Sequence, residues 1–190
     1  MKIIRMLAIS FLFCLSGTLA FAFTHEDLYP FLEVQLPGYT ADELDGFEAG
    51  GSIIAARDYF KGGNEDIIFG VSIVLGQALN VSPALLSNQG LKGKEHLYKT
   101  SIQGFKADVT KGGEDCTLCG GILVHLEGKN RYFVCNYQNI TDKEAISLIN
   151  RFDLKAISKA IKNVQLPEGG MMKIPGMGGE SKEEAGELGY

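Results

Sequence analysis

The chain has no cluster of lysine or arginine, and without a basic face to displace counterions nucleic acid is set aside as a partner. A membrane surface is disfavoured by the same argument from sign. No G-x-S-x-G presents a serine on a tight elbow, which removes the commonest hydrolase arrangement. Half of the 24 glycines fall in adjacent pairs, and none builds a G-x-G-x-x-G or a phosphate loop with its Lys-Ser/Thr. Covalent haem needs a histidine directly after the second cysteine of Cys116-x-x-Cys119, and position 120 is glycine. Histidine is scarce, with His25 near the start, His96 in a charged context and His125 on a strand. There is no internal repeat and no heptad run.

What the first 22 residues do contain is an address. Lys2 and Arg5 precede an apolar run from Met6 to Leu15, and Ala20-Phe21-Ala22 follows with small residues at alternate positions. That order is the one of a secretory signal, so cleavage is expected after Ala22 and export to a periplasmic or extracellular space. As a transmembrane segment the stretch is too short for the roughly 20 residues a bilayer core demands, and Ser16, Gly17 and Thr18 break it. Cys14 is preceded by Phe11, Leu12 and Phe13 rather than the small residues of a lipid-anchor site, and it leaves with the signal. Loss of two positive charges takes the net charge from −5 to −7.

The remainder reads as one domain over residues 23–164 and a tail over 165–190 rich in glycine, methionine and glutamate, with too little periodic apolar surface to order itself. THEDLYPFL suggests a short helical turn, and TADELDGFEAGG an acidic connecting loop over residues 40–51. Ser52 to Lys61 is an expected strand, reversed by Gly62-Gly63-Asn64 into a second whose Ile67, Phe69, Val71, Ile73 and Leu75 alternate onto one face. Ser82-Pro83 and Gly90 bracket a short helix. Strands are expected at about His96–Ile102 and Gly104–Thr110, then a hairpin of residues 120–127 and 131–138. Its turn groups Ile122, Val124 and Leu126 with Phe133, Cys135 and Tyr137, and sends His125 to the other side. Thr141-Asp-Lys-Glu144 is a capping box ahead of the helical stripe Ala145, Leu148, Ile149, Phe152, Ala156 and Ile157, with a restart marked at Asp153. The expected fold class is therefore α+β: a single antiparallel sheet of about six strands packed on helices, with a C-terminal amphipathic helix.

Leu36-Pro-Gly-Tyr-Thr40, Ala56-Arg57-Asp58-Tyr59 before a Gly-Gly turn, Ile102-Gln103-Gly104-Phe105, Asn130-Arg131-Tyr132-Phe133-Val134 and Phe152-Asp153-Leu154 resemble a group of small exported bacterial proteins without assigned function. The resemblance covers about residues 30 to 160 and implies a Mog1/PsbP-like α+β architecture. It carries over no catalytic residues, and the Cys-x-x-Cys loop and the methionine tail are not part of it.

In an oxidising compartment Cys116 and Cys119 are read as a local disulfide. A strand, not a helix, follows them, so they lack the helix N-terminus that lowers a thioredoxin-type thiol's pKa. The alternative is thiol redox or copper handling by this loop, with Cys135 as third ligand if Gly120-Gly121 carries a bulge, and with Met171, Met172 and Met177 as soft Cu(I) donors. No convergent acid, base or nucleophile stands out. The expectation is an exported, non-catalytic binding or interaction module whose sheet face or edge meets a protein or small ligand, with no cofactor.

Overall fold

A computed structural model describes residues 23–76, 96–112 and 117–166. Seven strands form one antiparallel sheet: β1 (Tyr39–Ala49), β2 (Ser52–Lys61), β3 (Ile68–Leu75), β4 (His96–Ile102), β5 (Phe105–Lys111), β6 (Cys119–His125) and β7 (Arg131–Gln138). Their spatial order is β1-β2-β3-β7-β6-β5-β4. A 3₁₀ turn (Glu26–Leu28) runs into helix α1 (Tyr29–Leu32), and α2 (Asp142–Ile149) and α3 (Leu154–Ile161) close the described chain. The expected signal segment, the expected helix bracketed by Ser82 and Gly90, Cys116 and residues beyond 166 lie outside the described residues.

Period-two patterning builds the centre of the sheet. Phe69, Val71, Ile73 and Leu75 of β3 are buried on one face, as are Ile122 and Val124 of β6 and Phe133, Cys135 and Tyr137 of β7. The β2–β3 turn uses Gly62 and Gly63 at positive φ, 60° and 75°, where a side chain would be strained. Onto this face fold all the described helices. Phe152 enters it from between α2 and α3, its ring 5.2 Å from Phe133, 6.2 Å from Tyr59 and 6.4 Å from Phe69, centroid to centroid. Arg131, buried on the same side, donates from Nε to the Ile161 carbonyl and fixes the end of α3.

The architecture corrects the α+β expectation: the fold is mostly β, a seven-stranded sheet with three short α-helices. Two sequence features explain the difference. Residues 40–51, expected as an acidic loop, are mostly β1, an 11-residue edge strand with little burial on either face. An edge strand has no need of an apolar alternation, and Asp42, Glu43, Asp45 and Glu48 with a register shift between Ala41 and Leu44 discourage further pairing there. The single amphipathic C-terminal helix is instead two eight-residue helices. Asp153 caps the second by accepting from the Ala156 N–H at 2.9 Å, and the apolar phase resets to Leu154, Ile157 and Ile161. The capping box is half realised. Thr141 accepts from the Glu144 N–H at 3.1 Å, while the Glu144 carboxylate is held by Lys61 Nζ at 2.6 Å and the Tyr39 hydroxyl at 3.0 Å. Among the described residues no helix is long and apolar enough to cross a membrane.

Candidate functional site

The sulfur chemistry can be placed first. In the β6–β7 ladder Cys119 lies opposite Gln138 and Ile122 opposite Cys135, with no register shift along the pair. Cys119 and Ile122 are three residues apart, so they project to opposite faces, and Cys119 is about 10 Å along the strand from the level of Cys135. The bulge at Gly120-Gly121 that could have swung Cys119 round does not form, because β5–β6 pairing is also continuous there. Cys135 therefore lies on the opposite face of the β6–β7 ladder from Cys119. Burial pushes its thiol well above the ordinary value, so it is a core residue rather than a nucleophile. Cys116, Met171, Met172 and Met177, the other candidate ligands, lie outside the described residues. Among the described residues no three metal-binding side chains cluster.

The face away from the helices carries the other features. Ile54, Val74 and Tyr132 lie in one cross-strand row, continued by His125, and Ser72, Val134, Leu123 and Asp108 in the next. Val74, Leu123 and Val134 form a second, smaller apolar cluster against which Ile54 and Tyr132 pack. Phe47, opposite Ile54 on β1, extends it and is 52% exposed. At the other end His125 Nε2 lies 2.8 Å from Asp108 Oδ2, with Lys99 Nζ 3.7 Å from the same carboxylate and the Tyr132 ring edge-on to the imidazole. A carboxylate that orients an imidazole is half of a catalytic triad. Here the pair is flanked by a lysine and a tyrosine, an arrangement that serves as well to frame an apolar strip.

One row further along lies a polar notch. Asp58 of β2 faces Gly70 of β3, Gly70 faces Asn136 of β7, and Asn136 faces Gly121 of β6. The Asp58 carboxyl folds over the bare Cα of Gly70, where a Cβ would collide with it. Burial, and secondarily the charge of Asp42, pushes the Asp58 carboxyl above its ordinary value. Asn136 Oδ1 is buried and has no hydrogen-bond partner among the described residues. Asn136 is flanked across the sheet by two glycines, Gly70 and Gly121. The notch brings the Asp58 carboxyl and the Asn136 amide together next to an apolar strip.

None of these outer-face residues except His125 was singled out by alternation, yet a signal was present. Val71-Ser-Ile-Val-Leu75 and Ile122-Leu-Val124 are nearly continuous apolar runs, and such runs mark strands that are apolar on both faces.

The class defined by these features is a single-sheet, mostly-β protein with one face closed by short helices and the other bearing an apolar strip beside an acceptor notch. No family model, curated protein or solved structure matches the chain.

Proposed function

We propose that the protein is an exported, non-catalytic binding module that receives a ligand or protein segment on the outer face of its sheet. The observation that carries this reading is Asn136 Oδ1, a buried acceptor without a partner among the described residues, set between two glycines and near Asp58. Buried polar atoms are nearly always hydrogen-bonded, so this one is suited to take a donor from a ligand. The fitting occupant has an N–H or ammonium group for the notch and an apolar body for the Val74–Val134–Leu123 strip. The basic, apolar, small-residue order of residues 1–22 and the resemblance to small exported bacterial proteins support export. In that setting Cys116 and Cys119 form a loop disulfide. The alternative is thiol exchange or copper handling by the same loop, which Cys135 could join only from the opposite face of the sheet.

A photo-crosslinking residue at position 47, compared with one at Lys155 on the exposed side of α3, tests the proposal in the exporting host. A discrete adduct is expected from position 47, absent from position 155 and diminished by Asn136→Ala. Equal labelling from both positions, or substrate turnover abolished by a single replacement, would overturn it.

A further inference from the structure

The residues that follow the expected signal cleavage are Phe23-Thr24-His25. A chain that begins there has histidine third, and this spacing supplies four nitrogens in sequence: the α-amine, two backbone amides and an imidazole. Neither Thr24 nor His25 is proline, so both amides carry a proton that a metal can displace. The fold already turns the last two donors together. His25 N–H donates to Glu48 Oε1 at 2.8 Å, and His25 Nδ1 lies 2.5 Å from that same oxygen. It is Nδ1, not Nε2, that turns towards its own backbone nitrogen, as closing a ring through one metal ion requires. The Thr24 N–H also faces a carboxylate, donating to Asp27 Oδ2 at 2.7 Å.

The surroundings fix this arrangement. The imidazole lies over Gly46, where a Cβ would meet it, and edge-on to Tyr29 at 5.6 Å. Phe23 packs against the main core, which anchors the first residue. Glu26, Asp27 and Glu48 make the locality anionic and favour a dication over an anion. Three of such a site's four donors belong to the backbone, so no cluster of ligating side chains marks it.

We propose that the mature amino terminus binds one Cu(II), or more weakly Ni(II), in a plane of four nitrogens: the Phe23 α-amine, the Thr24 and His25 amide nitrogens and His25 Nδ1. Square-planar nitrogen ligation suits these two ions, and copper leads in affinity. Binding releases one proton from the α-ammonium group and one from each amide, and the neutral His25 ring moves its proton from Nδ1, where it faces Glu48, to Nε2; no oxidation state changes, and the two amidates neutralise the ion's charge. It therefore strengthens as pH rises. The Glu48 carboxylate, hydrogen-bonded to two of the donors in the metal-free form, is placed to move to the axial position. This site is separate from the Cys-x-x-Cys loop and from the outer-face notch, and it rests on the reading of residues 1–22 as a cleaved signal.

Two measurements keep the parts distinct. Amino-terminal sequencing of protein recovered from the exporting host should give Phe-Thr-His; any other start overturns the proposal through the cleavage reading, whatever the metal does. Separately, three chains are titrated with Cu(II) and with Ni(II), which thiols do not reduce: one starting at Phe23, one retaining Ala22, and His25→Ala starting at Phe23. The first should give a one-to-one complex with the visible absorption and circular dichroism of a square-planar nitrogen set. Retaining Ala22 moves the imidazole to fourth position and should abolish that spectrum, as should His25→Ala. The same spectrum in all three chains, or none in the first, would overturn the chelate while leaving export intact.

Discussion

Replacing Phe152 by alanine tests whether the break between α2 and α3 exists to deliver a ring into the core. Phe152 is 1% exposed and lies at the junction of Tyr59, Phe69 and Phe133, rings contributed by β2, β3 and β7. Truncating a buried phenylalanine costs about 3–5 kcal/mol through lost transfer energy and the cavity left behind. Each well-placed ring pair adds roughly 0.5–1.5 kcal/mol beyond area, which puts this site at the upper end of that range. Collapse of the cavity is hindered because the neighbours sit on three separate strands of one continuous ladder. With a total stability of about 5–15 kcal/mol for a typical domain, the variant should lose a third or more of its margin. Urea unfolding followed by circular dichroism reads the change as a lower midpoint at constant slope. Phe152→Leu keeps most of the volume and should recover over half of the loss. If Phe152→Ala costs less than about 1 kcal/mol, the ring is not a core element and the helical break needs another explanation.

Two further outcomes follow from the same packing. At Gly120 a Cβ would run into the Thr110 carbonyl oxygen and the Tyr137 ring, so Gly120→Ala should destabilise by roughly 1–3 kcal/mol; a cost within about 0.5 kcal/mol, measured by the same unfolding, would contradict the β5–β6–β7 register. Stability should also fall on the acid side. Glu48 is held below its ordinary carboxyl range by the His25 backbone N–H and ring, Glu144 by Lys61 and then Tyr39, and Asp142, against the opposing effect of burial, by Tyr98 and Lys111. Because each folded value lies below the unfolded one, their contribution is complete above about pH 5 and is lost as pH falls through the folded values. The triple change Glu48→Gln, Asp142→Asn and Glu144→Gln should flatten the acid limb of the urea midpoint against pH, and an unchanged limb would refute the assignment.

The parts of the fold legible in the sequence were those where one face is apolar at every second position. β3 and the β6–β7 hairpin show that period, and the expected grouping of Ile122 and Val124 with Phe133, Cys135 and Tyr137 is the observed core face. His125 lies on the opposite side, beside Tyr132 and Asp108. β1 escaped because an edge strand that touches solvent on both faces carries no apolar period, and its acidic residues read as loop. The helical stripe from Ala145 looked continuous through Ile157, since Phe152 fits a helical phase even though it sits in the turn between two helices. Glu144 fitted a capping box, but a local pattern could not reveal that Lys61 and Tyr39, distant in sequence, compete for its carboxylate. The acceptor notch was out of reach for a related reason. Asp58, Gly70, Asn136 and Gly121 become neighbours only through the β3–β7 pairing, which joins segments distant in the sequence.

That pairing divides the molecule in a way the linear order conceals. β1 to β3 make one ribbon of successive reversals and β4 to β7 another, and the two are stitched along a single seam from Ile68–Gln138 to Leu75–Arg131. Severing the chain between Gly76 and His96 would part no described strand from its hairpin partner, and it would leave β3 on one fragment and β7 on the other as complementary bare edges.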